Sequence, residues 1–440
     1  MTRRYIITPN KAIQTSISIS AKISVAKISV ALYRYTGLTQ IRNDPFMSTI
    51  KPLPLAGLKV IEFTHMVMGP AAGLILADLG ADVIKIEPLT GDNTRRLKGS
   101  GAGYFSMYNR NKKSLCLDIK SDKGLELALS LIEGADVVLE NFRPGAMDKL
   151  GLGYKDLSAL NPRLIYCSLK GFLNGPYAHR TALDEVTQMM GGLAYMTGLP
   201  GKPMRAGSSV IDITGGMFGA IGVLAALEDR HKTGRGKMVT SSLYETTAFL
   251  VGQHMAQQMV TGEAPPPMSV RRSAWAIYDI FDCANNEQVF LGVVSDTQWR
   301  VFCEAFGFAE FAADKSLDAN NGRVTQRDKI LPEIIRLFST MEKSELMDRL
   351  EKSGLPFAPI NKPSDLFDDP QLNAGGLINV TLPCGTKTKL PGLPLEMDNE
   401  RFTLREDIPS DHGNSITTLQ KAGFDQAQID KLIELGVVRD

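Results

Sequence analysis

Residues 58–87 constrain this chain more than any other stretch. Leu58-Lys59-Val60-Ile61-Glu62-Phe63 reads as a strand, Pro70 to Leu79 as a helix, and Ala81-Asp82-Val83-Ile84-Lys85-Ile86-Glu87 as a second strand. A strand, a helix and a strand within about 30 residues form a βαβ unit, and that crossover makes the two strands parallel. Pro70 falls in the first turn of the helix, where its missing N–H costs nothing. Gly80 stops the helix.

The pattern then repeats. Ser114–Ile119, Asp136–Glu140 and Arg163–Leu169 read as strands, and Lys123–Ile132 reads as a helix. Alternating elements of this kind predict an α/β fold, a Rossmann-like, doubly wound parallel sheet with helices on both faces. After residue 210 the character changes. Ile211 to Asp229 is a long apolar run holding Gly215, Gly216, Gly219 and Gly222, which predicts a helix that packs closely on a neighbour. A turn at Lys232–Gly236, a strand and a helix over Leu243–Val260 follow, and Ala264-Pro265-Pro266-Pro267 reads as a linker. Residues 270–375 form a second region, with strands at Tyr278–Phe281 and Gln288–Val294 and helices at Gln298–Phe306 and Lys329–Phe338. Pro356–Ile360 reads as a strand or crossover, and Asp425–Leu435 as a last helix ending at Gly436.

Composition narrows the class. Hydrophobic residues make up 43 % and charged residues 22 %, which excludes a chain that is mainly disordered. The net charge of +1 lacks the basic excess that marks proteins devoted to nucleic acid. Residues 1–46 carry seven basic residues and one acid, leaving −5 on the rest. That segment is Ser-rich, half-repeated (Ala-Lys-Ile-Ser-Val at 21–25 and 26–30) and reads either as a transit peptide or as sequence upstream of a start at Met47. It is set aside from the fold. The expected compartment is cytoplasmic, or mitochondrial if the segment is a transit peptide. No run of about 18 uncharged apolar residues occurs, so no membrane contact is expected. The five cysteines are scattered, with no CxxC and no zinc-like spacing, so they read as reduced thiols and no metal is expected.

The first βα turn, Thr64-His65-Met66-Val67-Met68-Gly69-Pro70, is where a phosphate would meet a helix N-terminus. It is not GxGxxG, so a nicotinamide dinucleotide site is disfavoured although Glu87 sits about 20 residues on. GxSxG, P-loop, HExxH and EF-hand patterns are absent from the sequence. Two acids stand out. Asp212 begins the Gly-rich apolar helix, and Asp184 begins another helical run. The plain reading of each is a helix cap. The chemical reading of Asp212 is a nucleophile, with glycines that let a thioester or anhydride approach the backbone.

At these residues the sequence resembles the class III CoA-transferases, the family of formyl-CoA and carnitine CoA-transferases that also includes the α-methylacyl-CoA racemases. Several stretches carry the likeness from about Leu55 to the C-terminus. They include Leu58–Pro70, Leu79–Glu87, Asn109–Ser114, Glu140–Gly145, Gly175-Pro176-Tyr177 with Arg180, Asp184 and Gln188, then Asp212 and His231–Gly236. The resemblance implies a Rossmann-like large domain over 47–262 and 376–440, a smaller α+β middle domain over 270–375, and two subunits threaded as an interlocked homodimer. It implies that Asp212 attacks a donor thioester and cycles through a mixed anhydride and an aspartyl-CoA thioester, with Asp184 orienting or assisting.

Coenzyme A enters as a substrate thioester, with no resident cofactor. Its contacts map onto His65, Met66, Met68, Leu117, Lys120, Asn141, Phe142 and Lys149, the two lysines meeting phosphates as point charges. Val67 replaces a glutamine of formyl-CoA transferase, and Ser269–Trp275 replaces its glycine run, which speaks against oxalate/formyl specificity. Arg271 and Arg272 read either as bidentate holders of a distal carboxylate or as solvated surface arginines. The racemase branch has histidine directly before the acid matching Asp184. Here Leu183 stands there and cannot take a proton. The expected activity is CoA transfer from an acyl-CoA to a carboxylic acid, with a dicarboxylate pair favoured. The alternatives are a non-catalytic CoA- or nucleotide-binding protein and, behind it, a racemase.

Overall fold

The computed structural model describes residues 52–270, 273–410 and 414–439. The expectations for residues 1–46 and for Arg271 and Arg272 lie outside the described residues. Seven strands make the central sheet. Six of them are β1 (Lys59–Phe63), β2 (Asp82–Glu87), β3 (Lys112–Leu117), β4 (Val137–Glu140), β5 (Ile165–Lys170) and β6 (Met238–Ser242). These six are parallel, in the order β3-β2-β1-β4-β5-β6. The chain leaves β1 toward β2 on one side and later returns to place β4 on the other. That reversal opens a crevice beyond the carboxyl ends of β1 and β4, the place where open α/β sheets bind ligands.

Helices α1 (Met68–Asp78), α2 (Tyr104–Tyr108), α3 (Asp122–Glu133), α4 (Asp184–Met190), α5 (Val210–Thr233) and α6 (Leu243–Thr261) belong to this half of the chain. Two apolar cores flank the sheet. Val60, Val83, Val137 and Ile165 face α1 and α5, while Ile61, Phe63, Val138 and Tyr166 face α3. The alternation along each strand is the period-two rule at work.

Two boundaries differ from the sequence expectation for physical reasons. The first helix begins at Met68, not Pro70. Pro70 is then the third helical residue, still among those whose N–H has no partner within the helix. The third strand begins at Lys112, not Ser114, because the Lys112 ammonium is buried and paired with Glu62.

Helix α5 is the 24-residue apolar run, closed by Gly234 at a φ of 72°. By length and composition it could cross a bilayer, but its glycines pack against protein. A Cβ on Gly216 would lie 2.6 Å from the Met68 carbonyl oxygen, so only glycine lets α5 and α1 approach this closely.

The second region has its own sheet, β7 (Ile277–Asp282), β8 (Gln288–Val293) and β9 (Phe357–Pro359), antiparallel throughout. Helices α7 (Asp296–Phe306), α8 (Arg327–Phe338) and α9 (Lys343–Ser353) pack on it around an aromatic core of Trp299, Phe302, Phe306 and Phe338. A hairpin of β10 (Leu377–Thr381) and β11 (Lys387–Pro391) follows. The chain then returns to the large sheet. Helices α10 (Ser415–Lys421) and α11 (Gln426–Glu434) join the α3-side core, and β12 (Val438–Arg439) pairs antiparallel with β3.

Candidate active site

The crevice beyond β1, β4 and β5 is a cavity of about 390 Å³. Its walls come from the first βα turn, the loops after β4 and β5, the start of α4 and the start of α5. His65, Met66, Met68, Asn141, Phe142, Asp184 and Asp212 line it together. Leu117, Lys120 and Lys149 do not. The Leu117 side chain is buried in the α3-side core, so at most its backbone is open to a ligand, while Lys120 and Lys149 are exposed outside the cavity wall.

The first turn is held from several sides. The Asn141 amide accepts from the His65 N–H at 3.0 Å and donates to the His65 carbonyl at 2.8 Å. Asn141 therefore clamps the turn before it can touch any ligand. Met66 has a φ of 63°, a left-handed conformation unusual for a side chain larger than glycine, and its N–H donates to the Thr94 hydroxyl at 3.1 Å. Backbone of this kind persists where the surroundings over-determine it. Below lies a buried ionic cluster. The Lys85 ammonium donates to the Thr64 carbonyl at 2.6 Å and pairs with Asp92 at 3.1 Å, and Lys112 pairs with Glu62 at 2.9 Å. Gly73 of α1 leaves the space that Glu62 occupies, since a Cβ there would overlap its carboxylate. Burial, opposed by Asp92 and aided by Lys85, lowers the His65 pKa and so favours the neutral form of the ring that lines the cavity.

The two acids have different jobs. Ser209 is the N-cap residue of α5, but its side chain makes no capping bond. Asp184, 26 residues before the helix begins, supplies it instead. One of its oxygens accepts from the N–H groups of Ile211 at 2.9 Å and Asp212 at 3.1 Å, while the other accepts from the Gln188 amide. The Gln188 carbonyl in turn accepts from the Ala206 N–H at 2.9 Å. Asp184 thus caps not its own helix but α5, and it fixes the turn that carries Asp212.

Asp212 is the third residue of α5 and is partly buried. Among the described residues no donor reaches its carboxylate. Burial first, then the charge of Asp184, push its pKa up to about 7, with Arg205 acting the other way. Burial and the Asp212 charge also push the Tyr108 phenol up to about 12.

Sequence reasoning missed several residues here. Tyr104 lines the cavity with its hydroxyl 3.3 Å from that of Ser209. Arg205 lines it while bonded to Glu185 and 4.0 Å from Asp184. Lys170 ties Glu140 at 2.7 Å to the Phe142 carbonyl at 2.6 Å. A signal for part of this was present: Glu62 and Lys85 interrupt apolar strand runs, and Glu140 ends one. A charge in a buried strand needs a partner across the sheet. Among the described residues no group of three or more His, Cys, Asp and Glu side chains could hold a metal ion.

The chain thus combines a doubly wound sheet with a switch-point cavity that holds an unpartnered carboxylate at a helix start, braced by a second carboxylate. The comparisons with known proteins give its family. It belongs to CoA-transferase family III, whose model matches residues 55–413, and it is a CoA-transferase acting on CoA thioesters. It is 33 % identical over 396 residues to a succinate–glutarate CoA-transferase of Agrobacterium fabrum, covering 87 % of this chain and 96 % of the relative. It is 35 % identical over 334 residues to a succinyl-CoA:mesaconate CoA-transferase of Haloarcula hispanica, covering 72 % and 83 %. A solved structure of a CAIB/BAIF family protein from Brucella suis matches with a TM-score of 0.74 at 32 % identity, over 85 % of this chain and all of that one.

Proposed function

We propose that this enzyme moves CoA from an acyl-CoA to a dicarboxylic acid through covalent chemistry on Asp212. The observation that carries the reading is the free carboxylate of Asp212 in the switch-point cavity, with its helix start held by Asp184. An Asp212 oxygen attacks the thioester carbonyl. The C–S bond breaks, the CoA thiolate leaves, and a mixed anhydride remains. The thiolate then attacks the Asp212 carbonyl carbon, releasing the donor acid and leaving an aspartyl-CoA thioester. The acceptor carboxylate repeats the two steps in reverse and restores the Asp212 carboxylate. No net proton is needed. A carboxylate whose pKa is near 7 is a better nucleophile than an ordinary aspartate, and it is about half ionised at pH 7 and mostly ionised above it. Asp184 is a positioning residue in this scheme, because its oxygens are occupied by the α5 backbone and Gln188. The dicarboxylate acceptor is supported by the names of the relatives in A. fabrum and H. hispanica. Leu183 is exposed and offers no proton-transfer group beside Asp184, which disfavours racemisation.

The working form we infer is a homodimer. Helices α5 and α6 expose Met217, Ile221, Phe249, Met255, Met259 and Val260, large apolar side chains that a second subunit would cover. Light scattering on the eluting protein should return twice the chain mass.

The deciding experiment is peptide mass spectrometry after incubation with succinyl-CoA and then borohydride or hydroxylamine. Modification is expected on the peptide containing Asp212 and is absent in Asp212→Ala. Absence of modification with succinyl-, acetyl-, formyl- and longer acyl-CoA donors would leave Asp212 a structural residue and the protein a CoA binder.

A further inference from the structure

Five basic side chains line the cavity, and most are already committed or neutral. Burial favours the neutral form of His65. Lys170 is tied to Glu140 and the Phe142 carbonyl. Arg205 is bonded to Glu185 and to the Ala206 carbonyl. Arg143 stands beside Phe142, whose ring lies 5.7 Å from that of His65, at the end of the cavity that the resemblance gives to CoA.

Arg180 differs from the first three. It lines the cavity four residues before Asp184, and among the described residues its guanidinium, like that of Arg143, has no hydrogen bond or ion pair. It is nevertheless held in place. Its charge sits 5.0 Å from the Tyr177 ring centre and 5.8 Å from that of Phe172, and those rings pack edge-on at 5.7 Å. Stacking fixes the plane of a guanidinium through its face and leaves the N–H donors of its edge free. A planar fork with free edge donors matches a carboxylate.

The charges of the cavity call for such a group. Asp184, Glu185 and Asp212 are all carboxylates of its wall. A dianionic acid entering beside them needs a cation that is not already paired, or its second charge is repelled.

We propose that Arg180 receives the distal carboxylate of a dicarboxylic acid whose proximal carboxylate reacts at Asp212, and so sets the preference for dicarboxylates over monocarboxylates. This assignment rests on the transferase reading above and adds to it the group that selects the acceptor. Arg180 is exposed, so replacing it should leave the fold intact.

The test is a competition in one tube, with succinyl-CoA as donor and paired acceptors of equal length: glutarate against valerate, and adipate against hexanoate. Effects on the donor cancel in the ratio of products. The wild type should favour the dicarboxylate, and Arg180→Leu should lower that preference by about 10- to 100-fold, the size expected for losing a charge-assisted bond. Arg180→Lys keeps the charge without the fork and should fall between the two. A preference unchanged within twofold in Arg180→Leu, in protein that melts like the wild type, overturns the assignment. So does a wild type that transfers CoA to both acids of a pair equally. A wild type that transfers CoA to none of these acids and shows no Asp212 modification refutes the transferase reading itself, and the assignment falls with it.

Discussion

The carboxyl ends of the parallel strands and the core of the 277–359 region are built from different materials. Beneath the site, Glu62, Lys85 and Lys112 are buried and joined through ion pairs across β1, β2 and β3. Glu87 and Arg95 extend that network at 2.7 Å. Burial works against the ionised Glu87, yet Arg95 and Lys85 together hold its pKa below the ordinary value. In the second region the corresponding space is hydrocarbon: Trp299, Phe302, Phe306 and Phe338, with Phe302 and Phe306 ring centres 5.1 Å apart. Hydrocarbon packing is strong but tolerant of small shifts. A buried charge pair is costly to break and has few acceptable geometries. The chain places the second kind of contact under the loop that carries His65 and Met66.

The largest effect should come from the site itself. Asp212→Asn should lower kcat by at least about 10³-fold in a coupled assay of CoA transfer, as expected when a nucleophile is removed. Residual activity within tenfold of wild type would mean that the strained, charged half of the molecule serves something else.

Lys85→Met should come next. It leaves Glu62 and Asp92 buried with one partner fewer, and loss of about 3–5 kcal/mol of unfolding free energy is expected from denaturant titration. Because Lys85 also holds the Thr64 carbonyl, the KM for acyl-CoA should rise as well. A melt like the wild type's would remove the contrast drawn between the two regions.

The same contrast predicts that Asp212→Asn is more stable than the wild type, by an amount that depends on pH. Below about pH 4 the Asp212 carboxyl is protonated in both folded and unfolded chains, and there is no penalty. Between about pH 4 and 7 the unfolded chain has released that proton and the folded chain has not, so the stability of the wild type falls as pH rises. Above pH 7 the gap is constant. The difference in Tm between variant and wild type should grow to a few degrees over that window, on the order expected for a domain of this size. A difference that is flat with pH would show that Asp212 is not held near neutrality.

Two smaller effects complete the series. Ile334→Val, in the second region's core, should cost about 0.5–1.5 kcal/mol and leave kcat unchanged. Gly252→Ala, inside α6 where an added Cβ meets nothing within 4 Å, should add about 0.5–1 kcal/mol by removing backbone freedom from the unfolded chain. Loss of stability in that variant would place a neighbour against the exposed face of α6, as a second subunit would.

Much of the fold was legible because its signals are local. The six parallel strands and most of the long helices fall on the predicted runs, with shifts of a few residues at their ends, while α9 was not foreseen. The site was legible in part. His65, Met66, Met68, Asn141, Phe142, Asp184 and Asp212 do converge, whereas Leu117, Lys120 and Lys149 do not line the cavity. Tyr104 and Arg205 were not foreseen, since neither stands in a pattern that a single sequence distinguishes from an ordinary surface.

What the sequence determined by itself is the set of elements and the type of sheet. Apolar periodicity and glycine or proline punctuation act over a few residues, and βαβ spacing forces parallel strands. What only the tertiary structure decided is which charge meets which. Asp184 caps a helix that begins 26 residues later, Lys112 finds Glu62 across 50 residues, and β12 closes the sheet on β3 more than 300 residues away. Such pairings are chosen by the geometry of packed elements, because a buried charge takes whichever partner the fold brings within reach, and no local pattern records that choice.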